Sequence, residues 1–397
     1  MVVNDTYHLT YCTNIHPGDD WQQTFESLEQ YVLKVKNEIS PNAPFGIGLR
    51  LSNKASEELG QGDTLRTFKT WLADKQLYVF TMNGFPYGNF HKERVKDMVH
   101  APDWTTDERV QYTMRLFDQL AFLVPNGLSG GISTSPISYK HWHANTSSIE
   151  EVLKKGAANL TKIISHLSKI EKDTGVYLHL DIEPEPDGLL ENSDEVVHFF
   201  TRYLLPMAKN SLGLGEKEAE GLVYRYINIC YDICHFSLAY EEPEVSFRKF
   251  RDAGIQVGKI QVSSALKILF GETDSAQIWA ALALFNEPTY LHQVTEKKEG
   301  TVRTYNDLPL VLANKKEFSE LRSHFHVPIF LERFEKLYST QDQIIKVVDY
   351  LKREKVSEHL EIETYTWDVL PPALKTNLSD SIIREMDWFK STLLGHK

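Results

Sequence analysis

With 397 residues, 42% hydrophobic, 25% charged and 11% aromatic, the chain has the composition of a soluble globular protein with a large core, in one elaborated α/β domain or two ordinary ones. A net charge of −12 spread along the chain excludes a surface built to neutralise phosphates, so nucleic acid is not an expected partner. Three cysteines (Cys12, Cys230, Cys234) do not make a disulfide framework and fit a reducing cytoplasm, and the most apolar run, "IWAALALF" at 278–285, is too short to span a bilayer.

Strand-like runs alternate with helical patterns along the chain. Strands are expected at 7–15 ("YHLTYCTNI"), 45–52 ("FGIGLRLS"), 77–84 ("LYVFTMNG") and 127–135 ("GLSGGISTS"), then at 175–183 ("GVYLHLDIE"), 226–232 ("YINICYD"), 257–264 ("VGKIQVSS") and 360–367 ("LEIETYTW"). Apolar residues at three- and four-residue spacing predict helices at 21–39 and 148–175, the second ending on Gly175. Eight β/α units in this order predict one α/β domain over 1–397, a closed TIM (β/α)8 barrel.

The stretch between strands seven and eight is too long for a simple crossover, roughly twice the ~50 residues of an average unit in a barrel of this length. It contains "YLHQVTEKKEGTVRTYNDLPLVLA", a hairpin turning at "KKEG", followed by "HFHVPIFLERF". An insertion over 290–340 that folds across the barrel mouth is the preferred reading; "HFHVPIFL" as a barrel strand is the alternative.

The strands themselves carry two parities. In 175–183 Val176, Leu180 and Ile182 oppose Tyr177, His179, Asp181 and Glu183; in 45–52 Phe45, Ile47, Leu49 and Leu51 oppose Gly46, Gly48, Arg50 and Ser52; in 7–15 the polar parity is His8, Thr10, Cys12 and Asn14. Successive side chains face opposite ways, so a barrel gathers the polar parity inside and at its carboxy-terminal mouth, where barrel active sites form. Four strand ends then deliver Glu183, Asp232 with His235, Gln261 and Glu363 to one place. Converging carboxylates repel unless a cation is present, so a divalent metal (Mn, Co, Zn or Mg) is the economical cofactor, with Glu183, Asp232, Gln261, Glu363 and His326 as its ligands.

These positions resemble the xylose-isomerase-like TIM-barrel superfamily, which includes sugar (phosphate) isomerases, keto-sugar 3-epimerases and the endonuclease IV group. There a Glu ends strand five, an Asp-x-x-His ends strand six, a His ends strand seven and a Glu ends strand eight. Glu183, Asp232 with His235, and Glu363 fit that order, while Gln261 stands where the superfamily usually has the histidine. The longer pattern "HLTYCTNIHPG", "DIEPEPDG" and "HFHVPIF" looks like the EboE-type metabolite-traffic proteins of bacterial gene clusters.

The resemblance implies a metal-dependent isomerase or epimerase in which Glu183 and Glu363 exchange a proton next to a carbonyl of a small sugar-like or sugar-phosphate metabolite. His235, Arg50, Asn14, His8, Tyr87 and Trp367 are the expected substrate contacts, and "GFPYG" after strand three is read as a lid or as loop anchoring. Lys259 is another cation that could take an anionic substrate group or pair with a carboxylate. Glu185 and Asp187 read as a solvated loop, and Cys234 as a buried filler.

Two alternatives stand beside this reading: a degenerate barrel that binds and passes on a metabolite, and an endonuclease IV-like phosphodiesterase. The last expects more histidines on strands two and three, where Arg50 and Asn83 stand. Partners are therefore a small-molecule metabolite, with no nucleic acid and no membrane insertion; assembly as a homo-oligomer is left open.

Overall fold

A computed structural model describes residues 1–86, 96–271, 274–375 and 377–395. Eight parallel strands form its centre: β1 (Tyr7–Tyr11), β2 (Phe45–Arg50), β3 (Leu77–Asn83), β4 (Gly130–Thr134), β5 (Leu178–Ile182), β6 (Ile227–Asp232), β7 (Val257–Val262) and β8 (His359–Ile362). They pair in the order β1-β8-β7-β6-β5-β4-β3-β2. The seam between β1 and β2 is a single parallel bridge, Cys12 to Gly48, reinforced by a side chain: Thr10 Oγ1 donates to the Gly46 carbonyl (2.8 Å) and accepts from the Gly48 amide (3.1 Å). The sheet thus closes into an α/β barrel. No described helix is long and apolar enough to cross a membrane.

Every residue of β2 and β5 to β8 is buried, because helices cover one parity and the barrel interior takes the other. The long helix Thr146–Thr174 shows how the local sequence sets its ends. Asn145 and Ser148 form a reciprocal capping box, and Gly175 stops the helix at φ 74°, a conformation that costs glycine little.

The interior is polar rather than aliphatic. Lys259 Nζ reaches Glu361 (2.5 Å) and Ser133 Oγ (2.9 Å), and His179 Nδ1 lies 2.6 Å from Asp181 Oδ1. Burial pulls the Lys259 ammonium down, but Glu361 more than any other neighbour holds it above its ordinary value. Lys259 is therefore a structural countercharge with no exposed surface, not an anion hook at the mouth. Glycines make room for these groups: a Cβ on Gly48 would stand 1.9 Å from Glu361 Oε1 and 2.8 Å from the Tyr11 carbonyl, and one on Gly258 1.9 Å from Asp181 Oδ1.

Between β7 and β8 the chain builds a second, six-stranded sheet. Its order is Thr301–Tyr305, Val294–Lys298, Glu320–His326, Ala265–Leu269, Leu337–Ser339, Arg333–Phe334, with antiparallel pairing throughout. The sheet begins at Ala265, directly behind β7, rather than at 290, because Ala265–Leu269 leaves the barrel as the partner of Glu320–His326. "HFHVPIFL" therefore starts in this antiparallel sheet and is not a barrel strand. The tip of the 294–305 hairpin is Glu299–Gly300, both at positive φ (50° and 80°), the two-residue geometry whose twist matches the strands. The strand Glu320–His326 slips register between Ser323 and His326, and its end is tied to the barrel by Val327 N to Ser264 O (2.9 Å) and by Thr366 Oγ1 to the His326 carbonyl.

Gly48→Ala and Gly258→Ala should each destabilise the fold by about 1–3 kcal/mol, the usual cost of overpacking a filled core. Gly221→Ala, in the exposed helix Glu216–Tyr226 with open space around its Cβ, should stabilise by about 0.5–1 kcal/mol, and chemical denaturation of the three variants checks both signs.

Candidate active site

Asp232 ends β6 and at the same time caps the short helix Ile233–Leu238. Its Oδ1 accepts from the His235 amide (3.0 Å) and from Ser263 Oγ (2.7 Å), so the Asp-x-x-His spacing is that of an N-cap to its third residue. That fixes the carboxylate and leaves Oδ2, buried, with no hydrogen-bond partner among the described residues. Glu183 at the end of β5 and Glu363 at the end of β8 meet it there, the three carboxylates lying within 4.8 Å of one another.

The three are not equivalent. Glu363 is clamped: Asn14 Nδ2 donates to Oε1 (2.7 Å), Asn83 Nδ2 reaches the same oxygen (3.4 Å), and Gln261 Nε2 donates to Oε2 (2.8 Å). Glu183 Oε2 is buried and unpartnered. Burial, followed by Asp232 and Glu361, pushes the Glu363 carboxyl up to about 8; burial, followed by Glu363 and Asp232, raises that of Glu183 well above the carboxylate range.

His326 completes the cluster from the second sheet. Its Nδ1 donates to the Glu363 carbonyl (2.5 Å), which fixes the tautomer and leaves Nε2 as a buried lone pair without a partner. Gln261 Oε1 is likewise orphaned. Asp232, His235 and His326 form one further group within 4.8 Å, and Cys234, His324 and His326 another. Four buried donors with no partner among the described residues, from Glu183, Asp232, Gln261 and His326, beside a clamped Glu363, suit a divalent cation: the oxygen and nitrogen donors match it, and a cation removes the repulsion.

Of the other expected site residues, Asn14 lines the cavity above the cluster, together with Asn83, Glu185, Tyr290, His324 and Tyr365. Its volume is about 90 Å³. Against the ~10–15 Å³ that one water needs on the same measure, that admits a ligand group of several heavy atoms directly above the carboxylates. A larger hollow of about 750 Å³, lined by Tyr177, His179, Asn228 and His359, opens at the amino-terminal end, but the carboxylate cluster is not there.

His8 belongs to that opposite end. It is in register with His359 at the start of β8, and its Nδ1 meets Tyr78 Oη (2.9 Å), so it is no substrate contact at the mouth. Parity gave the face of the strand but not the height along it. Arg50 is spent on the Phe85 and Gly18 carbonyls (3.3 Å each), bracing loops instead of reaching the cavity. Trp367 is buried outside the cavity lining. Tyr87, with Gly88 of "GFPYG", lies outside the described residues.

His235 lines the cavity, but its outer nitrogen faces His324. The loop after β5 is not solvated: Asp187 is buried with Oδ1 3.0 Å from His141 Nε2, and burial raises the Glu185 carboxyl to about 8. The sequence reading does not name His324; its signal is the "HFH" pair, which the two-residue period of a strand puts on one face with His326.

Among known proteins, no family model matches the sequence, and no curated protein matches it. Solved structures do. A xylose-isomerase-like TIM barrel protein from Mycobacterium smegmatis, in complex with magnesium, superposes with a TM-score of 0.51 at 9% identity over 100% of this chain and 99% of that one. An IOLI protein with a bound zinc atom gives 0.48 at 11% identity (98% of each chain), and a D-tagatose 3-epimerase-like protein 0.49 at 10% (98% and 97%). At such identities the likeness is one of fold. The chain adopts the xylose-isomerase-like TIM-barrel fold, with a buried candidate metal centre at the mouth.

Because the Glu363 carboxyl in the folded protein sits near 8 against an ordinary 4.5, the folded state keeps a proton that the unfolded state loses. Stability of chelator-stripped protein should therefore fall as pH rises from about 4.5 to about 8 and then level off. Glu363→Gln should flatten that fall and raise the melting temperature at pH 8, measured by thermal denaturation across the pH range.

Proposed function

We propose that this protein is a metal-dependent isomerase or epimerase-type enzyme that moves a proton next to a carbonyl on a small sugar-like or sugar-phosphate metabolite. The observation that carries this is the meeting of Glu183 and Glu363, with Asp232, within 4.8 Å beneath a small cavity at the carboxy-terminal mouth of the barrel. A divalent ion held by Glu183, Asp232, His326 and Glu363, with Gln261 Oε1 as a further oxygen donor, would polarise the substrate carbonyl.

The chain's own residues supply the proton chemistry. Glu183, kept ionised by the ion, would take the proton from the carbon beside the carbonyl with the oxygen it does not give to the ion. Glu363, clamped by Asn14, Asn83 and Gln261, holds a fixed position from which it returns a proton. Tyr365 and Tyr290, whose rings pack edge to face at 5.2 Å, wall the cavity and keep bulk water from the exchanging proton.

One observation favours a second reading, a degenerate barrel that binds and passes on a metabolite. Gln261 stands where the superfamily usually has a histidine ligand, and its amide is engaged with Glu363.

The two readings separate on metal and exchange. Gently purified protein should carry a divalent ion by mass spectrometry, lost in Asp232→Ala and Glu363→Ala. Incubated in D2O with ketoses and ketose phosphates, it should place deuterium at the carbon next to the carbonyl, with a loss of at least ~100-fold in Glu183→Gln, the usual worth of a general base. A parent that takes up no Mn²⁺, Co²⁺, Zn²⁺ or Mg²⁺ would sink the enzyme reading and leave the carrier.

A further inference from the structure

The hollow at the amino-terminal end of the barrel takes no part in the chemistry at the mouth, yet its floor holds a fixed set of polar groups. His179 and Asp181 of β5 meet through Nδ1 and Oδ1 at 2.6 Å, and both are buried. Glycines on β4 and β7 make room for them. A Cβ on Gly131 would stand 2.5 Å from His179 Cε1 and 2.6 Å from Asp181 Oδ2, and one on Gly258 would stand 2.6 Å from His179 Nδ1. The carboxylate accepts, so Nδ1 bears the hydrogen and Nε2 is a lone pair on a residue that lines the hollow.

Asn228, near the start of β6, supplies a second acceptor. It lines the same hollow, it is buried, and its Oδ1 has no hydrogen-bond partner among the described residues. Tyr177 Oη donates to the Arg225 carbonyl (2.6 Å), so toward the Asn228 amide it is an acceptor. That holds the amide nitrogen and leaves Oδ1 as the free end.

The surroundings favour positive charge. The helices Asp107–Leu123, Thr146–Thr174, Pro243–Asp252 and Gln341–Leu351 all end on this side, and residues 126–129, 174–177, 256–258 and 355–359, at or after those ends, form the walls. Helix carboxy-termini carry negative partial charge. Lys355, the one lysine in the lining, is already paired with Glu358. A volume of about 750 Å³ is in the range of small-molecule sites. Imidazole and amide acceptors beside helix carboxy-termini suit a ligand that donates hydrogen bonds and is positive, whereas an anion would meet lone pairs. The side-chain groups close enough to hold a metal ion do not include these residues, so the cation is organic.

We propose that the amino-terminal hollow binds a small organic amine in its ammonium form, hydrogen-bonded to His179 Nε2 and Asn228 Oδ1. Asp181 fixes the first acceptor and Tyr177 the second. The site is separate from the carboxylate cluster and does not depend on the isomerase reading.

The probe is butane-1,4-diamine, titrated into the full chain carrying ¹⁵N-labelled histidine, with butane-1,4-diol and inorganic phosphate at matched ionic strength as controls. The expected result is a saturable shift of the His179 Nε2 resonance with the diamine alone, His179→Gln serving to assign that resonance. Affinity should fall by at least ~10-fold in Asn228→Leu, the usual worth of one hydrogen bond to a charged group. The melting temperature of that variant should not fall with it, because the substitution removes an unpaired buried acceptor; Asn228→Ser takes its place if it fails to fold. No saturable response to the diamine, an equal response to the diol, a response to phosphate instead, or an unchanged affinity in the Asn228 variant overturns the proposal and leaves the dyad as filling of the barrel floor.

Discussion

Three buried carboxylates within 4.8 Å of one another cannot all be ionised unless positive charge joins them, and the rest of the molecule is arranged around that constraint. Among the described residues the one lysine in the cavity lining, Lys96, is paired with Asp307. Lys259, the nearest buried ammonium, is engaged one layer down with Glu361, so the mouth keeps its negative character while the barrel core below stays neutralised. Amide groups take up part of the strain: Asn14, Asn83 and Gln261 satisfy Glu363 by hydrogen bonds without discharging it. What remains unsatisfied, on Glu183, Asp232, Gln261 and His326, is a set of donors and not of acceptors in need of a proton alone.

The second sheet is what turns this acidic mouth into a mixed oxygen and nitrogen site. Its strand Glu320–His326 runs back to the ends of β7 and β8, and the register shift beyond Ser323 brings both His324 and His326 toward the carboxylates. Gln261 Nε2 serves Glu363, and an imidazole nitrogen beside the carboxylates comes from His326 in the second sheet. The hollow at the other end of the barrel is larger than the cavity at the mouth, but the carboxylate cluster is not there.

Much of this was legible in the sequence. Eight β/α units and two clean parities define the barrel, and the order Glu183, Asp232 with His235, Glu363 places three carboxylates at strand ends. Asp-x-x-His is a capping pattern as well as a ligand pattern, and the structure uses it as the first. Parity could not say how high on a strand a residue sits, which is why His8 fell at the wrong end, and a charge pattern could not say which partner Arg50 or Lys259 would find.

The sequence by itself determined the fold class and the residue types that meet at the mouth, because strand period and strand order are local properties that a barrel converts directly into position. Only the tertiary structure decided which atoms are spent and which are left bare. That depends on contacts between residues up to hundreds of positions apart: Asn14 with Glu363, His235 with His324, and His326 with the Glu363 carbonyl. No spacing rule along the chain encodes those distances, and they separate a solvated strand end from a buried site able to hold a cation.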